Sequence, residues 1–463
     1  MASIFALPRR YTSSMSSTSD DDYPERSSRR RILGAMVGAL PAATAASAVA
    51  SLTAPAAAST GGRGRLALRP AAFDGADGTA IIAIWGHEPA EIQIGWSVAS
   101  DLLDRKSAPL QLNSQNAFVG SITLSALPSG AMIRYAAFAG GNRISEIGSF
   151  RAPFAASVAT PDFSLAFSGD TEERHRPFRL FDVMAKQQPD VFVHLGDTVY
   201  ADIPKREFEP TLRHYRRKHF AIRSDDALQQ FASRTLTYAT WDDHEIENDA
   251  NGGHPALGVA GQAFREYWPS RVLDQRGMYR HVSMGKDVEL FLLDTRAFRS
   301  VQIAENDEEK TMLGARQLAW FTDLYEKSKA KFRLIASSVP MHGASKDAWG
   351  NYAHERDIVL AMFRRAFRER DARSIVLSAD YHFAREWPRN EKSGIFEFMA
   401  GPIGTFLTFS RDNSAKARNS RGEHFVYGDS ENFATLRYSQ TQRSMTLTYF
   451  NSAGKSLHDR VIV

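Results

Sequence analysis

Five short segments of the chain place acidic, histidine or tyrosine side chains at points where predicted strands end. These segments are SGDT (168–171), GDTVY (196–200), WDDHE (241–245), VPMH (339–342) and SADYH (378–382). A buried carboxylate costs free energy unless a positive charge accompanies it, so acids that recur at strand ends indicate a shared cationic partner. Carboxylate oxygens suit hard metal ions, which can activate a water molecule for hydrolysis. The pattern therefore predicts a site that holds a pair of metal ions.

Three of these segments supply most of the predicted metal ligands. Asp197 and Tyr200 follow one apolar run. A carboxylate at a strand end can bridge two cations, and a phenolate suits a hard trivalent ion. Asp380 and His382 stand two residues apart, so both side chains are expected to leave the same side of an extended segment and reach one ion. Asp170 ends the first strand of the group and is a further candidate ligand.

The WDDHE segment is expected to supply both a ligand and an acid. A solvated acidic turn is the alternative, but a surface charge run would not begin with tryptophan directly after a strand. We expect Asp243 to bind metal and His244 to face the substrate, where a protonated imidazole stabilises developing charge or donates a proton to the leaving group. Asp242 and Glu245 are then expected to orient these groups.

Two further positions each allow two interpretations. His342 ends the VPMH segment and is either another metal ligand or a residue of the turn that Pro340 and Gly343 favour. Arg296 follows a predicted strand in DTRAFR, where it either clamps a phosphate oxygen or forms an ion pair with Asp294.

Alternating strands and helices are predicted between about residues 162 and 410. FSLAFSGD is a strand, FRLFDVMAKQQ (178–188) an amphipathic helix and VFVHLGD the next strand, which together make a βαβ unit. The acids then share the carboxyl edge of a parallel sheet, where α/β proteins bind ligands. Residues 432–463 are typical of a β-meander at an edge of the same domain. We predict a layered α/β catalytic domain, with mixed sheets flanked by helices, over residues 162–463.

The preceding part of the chain has a different pattern. Short alternating runs between residues 66 and 153 are separated by Gly, Pro, Asn and Asp, which is typical of a β-sandwich. We predict a small sandwich of the fibronectin-III or immunoglobulin type over residues 63–155. No cluster of titratable groups is evident there, so a packing or spacer role is favoured over a binding module.

The first 58 residues predict an export signal behind a polar, disordered stretch. Arg29, Arg30 and Arg31 open an Ala-rich apolar run that ends in small residues at Ala58. A basic region, a modestly apolar region and a small-residue exit describe a cleaved signal, and the paired arginines resemble a twin-arginine signal. A membrane anchor is the weaker alternative, because the run holds few Leu, Ile or Phe. We expect a periplasmic or extracellular protein that the twin-arginine machinery exports and that keeps no permanent membrane anchor.

Composition limits the remaining classes. The 463-residue chain has no cysteine, which excludes disulfides, thiolate metal sites and cysteine nucleophiles. The formal net charge of +4 is too small to favour specific nucleic-acid binding. The basic run LRHYRRKHF (212–220) is expected to be a solvated helix face, with an anionic-substrate rim as the alternative.

The segments resemble the calcineurin-like metallophosphoesterase superfamily and, within it, the alkaline phosphatase D (PhoD-like) family. The resemblance rests on GDTVYAD, WDDHEIEND, AFREYW, FLLDTRAFR, MLGARQLAWF and LSADYHFAREW. It implies a phosphate-facing role for His244 and metal ligands at Asp170, Asp197, Tyr200, Asp243, Asp380 and His382. It also implies a ferric ion with one or more calcium ions, or another iron, zinc or manganese pair. The family often has cysteine where this chain has Asp170, a harder ligand that shifts metal preference.

The resulting hypothesis is an exported hydrolase that releases phosphate from phosphomonoesters by attack of a metal-activated water molecule. Asp197 is expected to bridge the two ions, with Asp170 and Tyr200 on the harder one. The other ion is assigned to Asp243, Asp380 and His382, with the division between the ions left open. A phosphodiesterase on lipid, polymer or nucleotide diesters is the nearest alternative, and a non-catalytic metal-binding exported protein is the lesser one.

Overall fold

Two mixed β-sheets that share a central core, each packed with helices on its other face, carry the five strand-end segments. The computed structural model describes residues 65–271, 273–274, 276–343, 345–387, 393–408 and 422–463. The predicted signal region, residues 1–58, lies outside the described residues.

The larger sheet has nine strands and a parallel centre. In spatial order these are β22 (Ser456–Ile462), β21 (Ser444–Asn451), β20 (Asn432–Ser439), β10 (Phe163–Ser168), β11 (Val191–Leu195), β12 (Leu236–Thr240), β1 (Ala71–Ala76), β2 (Thr79–Trp85) and β6 (Val119–Leu124). β10, β11 and β12 run parallel, so Asp170, Asp197 and the WDDHE segment follow their carboxyl ends at one edge. β20 to β22 form an antiparallel meander, and β20 pairs with β10.

The second sheet has seven strands, four of which are parallel neighbours. In spatial order they are β13 (Arg280–Ser283), β14 (Val288–Leu292), β15 (Phe332–Ala336), β16 (Arg373–Ser378), β18 (Ile395–Met399), β17 (Ala384–Trp387) and β19 (Phe425–Tyr427). β14, β15, β16 and β18 run parallel. Arg296, His342 and the SADYH segment therefore follow the carboxyl ends of β14, β15 and β16.

Six α-helices lie in the described ranges. They are α1 (Leu180–Ala185), α2 (Leu212–Arg223), α3 (Asp226–Ala232), α4 (Leu257–Tyr267), α5 (Gly314–Lys327) and α6 (Ala353–Arg370). Side chains cap two of them: Thr211 accepts the backbone N–H of His214 at 3.2 Å, and Asp225 accepts that of Leu228 at 3.1 Å. Each cap satisfies a donor that the first helical turn leaves without a partner. Within the described ranges, none of the helices combines the length and apolarity needed to cross a bilayer.

Side-chain alternation along the strands builds the layers. On β11, Val193 and Leu195 enter the core between the sheets, whereas Phe192 packs with α1 to α4 on the other face. On β15, Leu334 joins the central core and Ile335 packs against α5 and α6. Strands covered on both faces are mostly apolar, so these two runs do not alternate in polarity and each holds a single buried basic residue, His194 and Arg333. The order helices, sheet, sheet, helices confirms the predicted layered α/β architecture.

A separate N-terminal β-sandwich is not confirmed. β1 pairs in parallel with β12, so β1, β2 and β6 extend the nine-stranded sheet. The rest of this region forms a six-stranded antiparallel sheet of β4 (Arg105–Lys106), β3 (Ala90–Val98), β7 (Met132–Ala139) and β8 (Asn142–Arg143), with β5 (Leu110–Leu112) on β3 and β9 (Gly148–Arg151) on β7. Period-2 patterns predict strands but do not show which sheet a strand joins.

A buried ion cluster attaches β1 to the rest of the fold. Asp74 is fully buried and binds Arg280 of β13, and it lies 3.1 Å from Nε of Arg271. Its neighbour Phe73 packs edge-on against Trp268, with ring centroids 6.0 Å apart. These contacts give β1 partners outside its own region, which local sequence patterns do not reveal.

The basic run at 212–220 lies on α2, but this helix is only partly solvated. Tyr215, Lys218 and His219 are buried, and the ammonium of Lys218 binds Glu173 and the carbonyl oxygen of Ile203. A buried lysine is tolerated when it has a carboxylate partner. The expectation of a solvated basic face is therefore wrong for this side of the helix.

Candidate metal centre and active site

Strands from both sheets bring four predicted ligands to one place. Asp170 follows β10, Asp197 follows β11 and His382 follows β16, and one ligand atom of each lies within 4.8 Å of the other two. The hydroxyl of Tyr200 is 2.9 Å from Nε2 of His382. The same nitrogen is 3.8 Å from Oδ1 of Asp170. We call these four side chains the first ligand group.

A second ligand group shares Asp197 with the first. It consists of Asp197, Asp243 and His244, again with ligand atoms within 4.8 Å of one another. The backbone N–H of His244 donates to Oδ1 of Asp197 at 3.3 Å and to Oδ1 of Asp243 at 3.1 Å. Asp197 thus stands between the groups, at the position from which a carboxylate can bridge two ions.

Asp380 and His382 do not share one group. The metal-capable groups in the described part of the chain combine Asp380 with Asp242 and Asp347, and His382 with Asp170 and Asp197. Asp380 and His382 have φ angles of 74° and 56°. The segment is therefore a tight turn, so the rule that residues two apart leave one side of an extended chain does not apply.

Several of the predicted ligands adopt the left-handed backbone conformation. Four of them have positive φ angles, at Asp170 (67°), Asp197 (49°), Asp380 (74°) and His382 (56°). Such conformations cost about 1–3 kcal/mol each for residues other than glycine, and they concentrate at functional sites. Gly196, which precedes Asp197, has φ 102°, and a Cβ there would lie 2.7 Å from the Cβ of Asp242. The glycine of GDTVY is thus required by both conformation and space.

Burial makes this cluster of acids unfavourable without a cation. Burial raises the pKa of Asp170, Asp197 and Asp380 well above the ordinary value, and repulsion among the carboxylates adds to it. Burial and the charge of Asp197 likewise raise the pKa of Tyr200. Oδ2 of Asp170 is buried and accepts no hydrogen bond. Cations would remove these penalties, and the donor set of carboxylates, imidazole and phenol oxygen fits hard metal ions.

Glu245 organises the two loops that carry the shared ligand. Its carboxylate accepts the backbone N–H of Asp197 at 3.2 Å, of Thr198 at 2.6 Å and of Asp242 at 2.8 Å. It is fully buried. These bonds tie the end of β11 to the end of β12, which is the kind of orienting contact that the sequence predicts for Glu245.

An acid that the sequence analysis did not single out holds His244. Nδ1 of His244 is 2.7 Å from Oδ1 of Asp202, and the imidazole stacks on the Tyr200 ring with centroids 4.1 Å apart. Burial alone would lower the pKa of His244, but Asp202 and Asp197 raise it well above the ordinary value. Burial would raise the pKa of Asp202, but His244 lowers it below the ordinary value. The only sequence signal for Asp202 was its position as the last residue of GDTVYAD.

Arg296 forms ion pairs with two buried acids, Asp242 and Asp347. Its guanidinium binds Asp242 through Nε at 2.7 Å and Nη2 at 2.8 Å, and it binds Asp347 through Nη1 at 3.0 Å. The side chain of Arg296 is fully buried. The alternative ion pair with Asp294 is not formed, because that carboxylate accepts backbone N–H groups instead, from Met278 at 2.8 Å among others. Asp347 is a second acid that the sequence analysis did not single out and, unlike Asp202, it belongs to none of the quoted segments.

His342 lies near another buried acid rather than in either ligand group. Its Nδ1 is 2.7 Å from Oε2 of Glu397, which also accepts the backbone N–H of His342 at 2.8 Å. None of the metal-capable groups in the described ranges includes His342. The contacts hold the imidazole in one orientation, and both interpretations of this residue stay predictions.

The chain matches a known family over the part that carries these groups. The family described as PhoD-like phosphatase matches residues 163–449, more than half of the sequence. The chain belongs to the PhoD-like phosphatase family. The predicted family is therefore confirmed, and PhoD-like membership supports the predicted enzyme class, a hydrolase of phosphoric ester bonds.

Individual proteins are also similar to this PhoD-like chain. Alkaline phosphatase D of Bacillus subtilis (strain 168) is 26% identical over 343 residues, which are 62% of this chain and 57% of that protein. The chain thus matches less than two thirds of the length of that curated relative. A solved structure described as the structure of PhoD matches with a TM-score of 0.74 at 19% identity, covering 85% of this chain and 88% of that chain. At this identity the likeness shows the PhoD-like fold alone.

Proposed function

We propose that this protein is an exported, metal-dependent phosphoester hydrolase that releases phosphate from phosphomonoesters. The observation that supports the proposal most is the pair of ligand groups that share Asp197 beside His244. Two cations that share a carboxylate can engage one phosphate ester from both sides. Membership of the PhoD-like phosphatase family supports phosphoester hydrolysis as the reaction class.

The first ligand group is proposed to hold the harder ion, and the two carboxylates of the second group, Asp197 and Asp243, the other ion, while His244 stays free of metal. When bound, such a pair neutralises phosphate charge and lowers the pKa of a water molecule, so that a nucleophile exists at neutral pH. The phenol of Tyr200 favours a ferric ion, and the carboxylates of the second group suit calcium or another divalent ion. A different iron, zinc or manganese pair is the alternative.

His244 is proposed to act on the leaving group. Asp202 fixes the ring through Nδ1 at 2.7 Å, which leaves Nε2 as the nitrogen available to a substrate. Donation of the Nε2 proton to the departing oxygen avoids the release of a strongly basic alkoxide. The Asp202 carboxylate keeps the imidazole both oriented and charged before the transfer.

Elemental analysis and two rates on the same purified protein test the proposal. We expect about two tightly bound ions per chain and faster hydrolysis of 4-nitrophenyl phosphate than of bis(4-nitrophenyl) phosphate. A faster rate on the diester would favour a phosphodiesterase. Protein without tightly bound metal and without either activity would favour a non-catalytic binding protein.

We also propose export through the twin-arginine machinery to the periplasm or beyond. The support is the Arg29-Arg30-Arg31 run before an Ala-rich apolar stretch. Replacing Arg29 and Arg30 by lysine is expected to retain the protein in the cytoplasm of a bacterial host that has this machinery. Unchanged export in cell fractionation would contradict the proposal.

A further inference from the structure

Residues 403–408, which we call the strap, connect the loops of the first and last ligands. At one end, the backbone N–H of Ile403 donates to the carbonyl oxygen of Gly169 at 2.8 Å, and that of Gly404 donates to the carbonyl oxygen of Asp170 at 3.0 Å. At the other end, the hydroxyl of Thr408 donates to the carbonyl oxygen of Tyr381. The strap therefore runs from the Asp170 loop to the SADYH turn and is fixed at both.

Two adjacent apolar side chains in the middle of the strap face solvent. Phe406 is 46% exposed and Leu407 is 38% exposed, although Thr405 beside them is buried. The Phe406 ring packs edge-on against His382, with centroids 4.5 Å apart and an interplanar angle of 79°. Exposed apolar side chains that adjoin each other at a binding site mark a contact surface, whereas isolated ones need no explanation.

We propose that Phe406 and Leu407 form a subsite for the leaving group and select phosphoesters whose leaving alcohol is apolar. The inference rests on the proposed function and adds a substrate class to it. His382 belongs to the first ligand group and contacts the Phe406 ring, so a phosphate held there would bring its ester group within reach of that ring. Covering that ring and Leu407 removes apolar surface from water, and a polar leaving group such as glycerol gains nothing there.

Among the described residues next to the strap, Glu172 is paired with two basic side chains. The carboxylate of Glu172 is almost fully buried, and it binds the guanidinium of Arg174 and lies 3.5 Å from Nε2 of His175. The backbone N–H of Glu172 donates to the carbonyl oxygen of Gly404 at 2.8 Å. At this part of the rim, the surface available to a leaving group is therefore the apolar surface of Phe406 and Leu407.

The test compares hexyl phosphate with ethyl phosphate, because the two leaving alcohols have similar basicity and differ mainly in apolar length. In the wild-type enzyme we expect kcat/KM to be roughly tenfold higher for the hexyl ester, the gain expected if the subsite covers about half of the four additional methylene groups. Phe406→Ser and Leu407→Ser are each expected to bring this ratio severalfold closer to one. Leu102→Ser is the matched control, since Leu102 is 86% exposed and lies in the turn between β3 and β4.

The two strap variants separate specificity from damage to the site. Phe406→Ser removes the ring contact to His382, a predicted metal ligand, so the metal content of this variant is measured. If metal is lost, the result for Leu407→Ser is used instead, because that variant keeps the Phe406–His382 contact. The inference would be overturned if both variants left the hexyl-to-ethyl ratio of kcat/KM unchanged. It would also be overturned if Leu102→Ser lowered that ratio equally.

Binding measurements distinguish failure of the strap from failure of the proposed function. Calorimetry with hexylphosphonate and ethylphosphonate needs no turnover. If no phosphoester is hydrolysed, the proposed function fails. The ratio of hexylphosphonate to ethylphosphonate affinity, compared between the wild type and Leu407→Ser, still decides whether the strap binds apolar groups. Equal affinities for both phosphonates in the wild type would reject the subsite.

Discussion

Nδ1 of His244 lies 2.7 Å from Oδ1 of Asp202, and Oδ2 of the same carboxylate accepts the backbone N–H of Asn248 at 3.0 Å. One acid therefore fixes both the imidazole and the loop behind it. This arrangement resembles the way carboxylates orient histidines around metal sites.

Asp202→Asn is expected to lower kcat about 10- to 100-fold with a smaller effect on KM, because the amide no longer stabilises the charged imidazole. Steady-state kinetics on an aryl phosphate check this, with Asp104→Asn, an exposed acid, as the control. Metal content is expected to stay at the wild-type level. Unchanged kcat, or loss of metal, would show that Asp202 has another role.

Asp197→Asn is expected to abolish hydrolysis and yet stabilise the metal-free protein. Burial raises the pKa of Asp197, so its ionised form destabilises the fold when no cation is present. An amide of the same size removes that penalty and can still accept the N–H of His244. We expect a gain of at least about 1 kcal/mol in the free energy of unfolding of the chelated protein, measured in urea. Intact hydrolysis and metal content would contradict the bridging role.

Tyr200→Phe reports on the ion in the first ligand group. If that ion is ferric, its phenolate bond gives the purified protein a visible absorption band, which is expected to disappear in this variant. Elemental analysis accompanies the spectra, so that loss of the band is not confused with loss of iron. A band that persists in Tyr200→Phe would mean that another group causes it.

Asp170→Cys introduces the cysteine that the PhoD-like resemblance leads one to expect at this position. A thiolate is a softer ligand than a carboxylate, so the variant is expected to favour softer metals than the wild type does. Refolding in equimolar mixtures of metals, followed by elemental analysis, measures the preference. An unchanged metal ratio would indicate that Asp170 does not bind the ion directly.

Arg296→Met is expected to destabilise the protein by about 3–5 kcal/mol, because it leaves Asp242 and Asp347 buried without their common cation. Urea unfolding of the metal-loaded enzyme measures the effect. Arg206→Met is the matched control, since the Arg206 side chain is 84% exposed and its ion pair with Glu207 spans 3.6 Å. A loss below about 1 kcal/mol, as expected for an exposed pair, would contradict the buried network.

The strand-end pattern predicted that Asp170 and Asp197 lie in one group, because both stand just past the end of a strand, whereas it assigned His382 to the other ion. Parallel strands force their carboxyl ends to one edge, so Asp170 and Asp197 had to meet once β10 and β11 were neighbours. Asp347 had no such signal. It lies well beyond the end of β15, and packing against Arg296 and Arg299 brings it to the site.

The separation of Asp380 and His382 into different ligand groups could not be predicted, because it depends on backbone angles. The prediction for Asp380 and His382 assumed an extended segment, whereas both residues have positive φ angles and belong to different ligand groups. The N-terminal strands show the same limit on a larger scale. Their alternation predicted strands, but the parallel pairing of β1 with β12 depends on contacts such as Asp74 with Arg280.

The parallel strands β10, β11 and β12 are enclosed by strands from opposite ends of the described chain. β1, from residues 71–76, pairs with β12, and β20, from residues 432–439, pairs with β10. A ribosome, which adds about 5–20 residues per second, releases β1 well before β20. One edge of the ligand-bearing sheet therefore stays open while the rest of the chain is translated. Loading of metal into a site enclosed on both sides must accordingly follow the synthesis of β20.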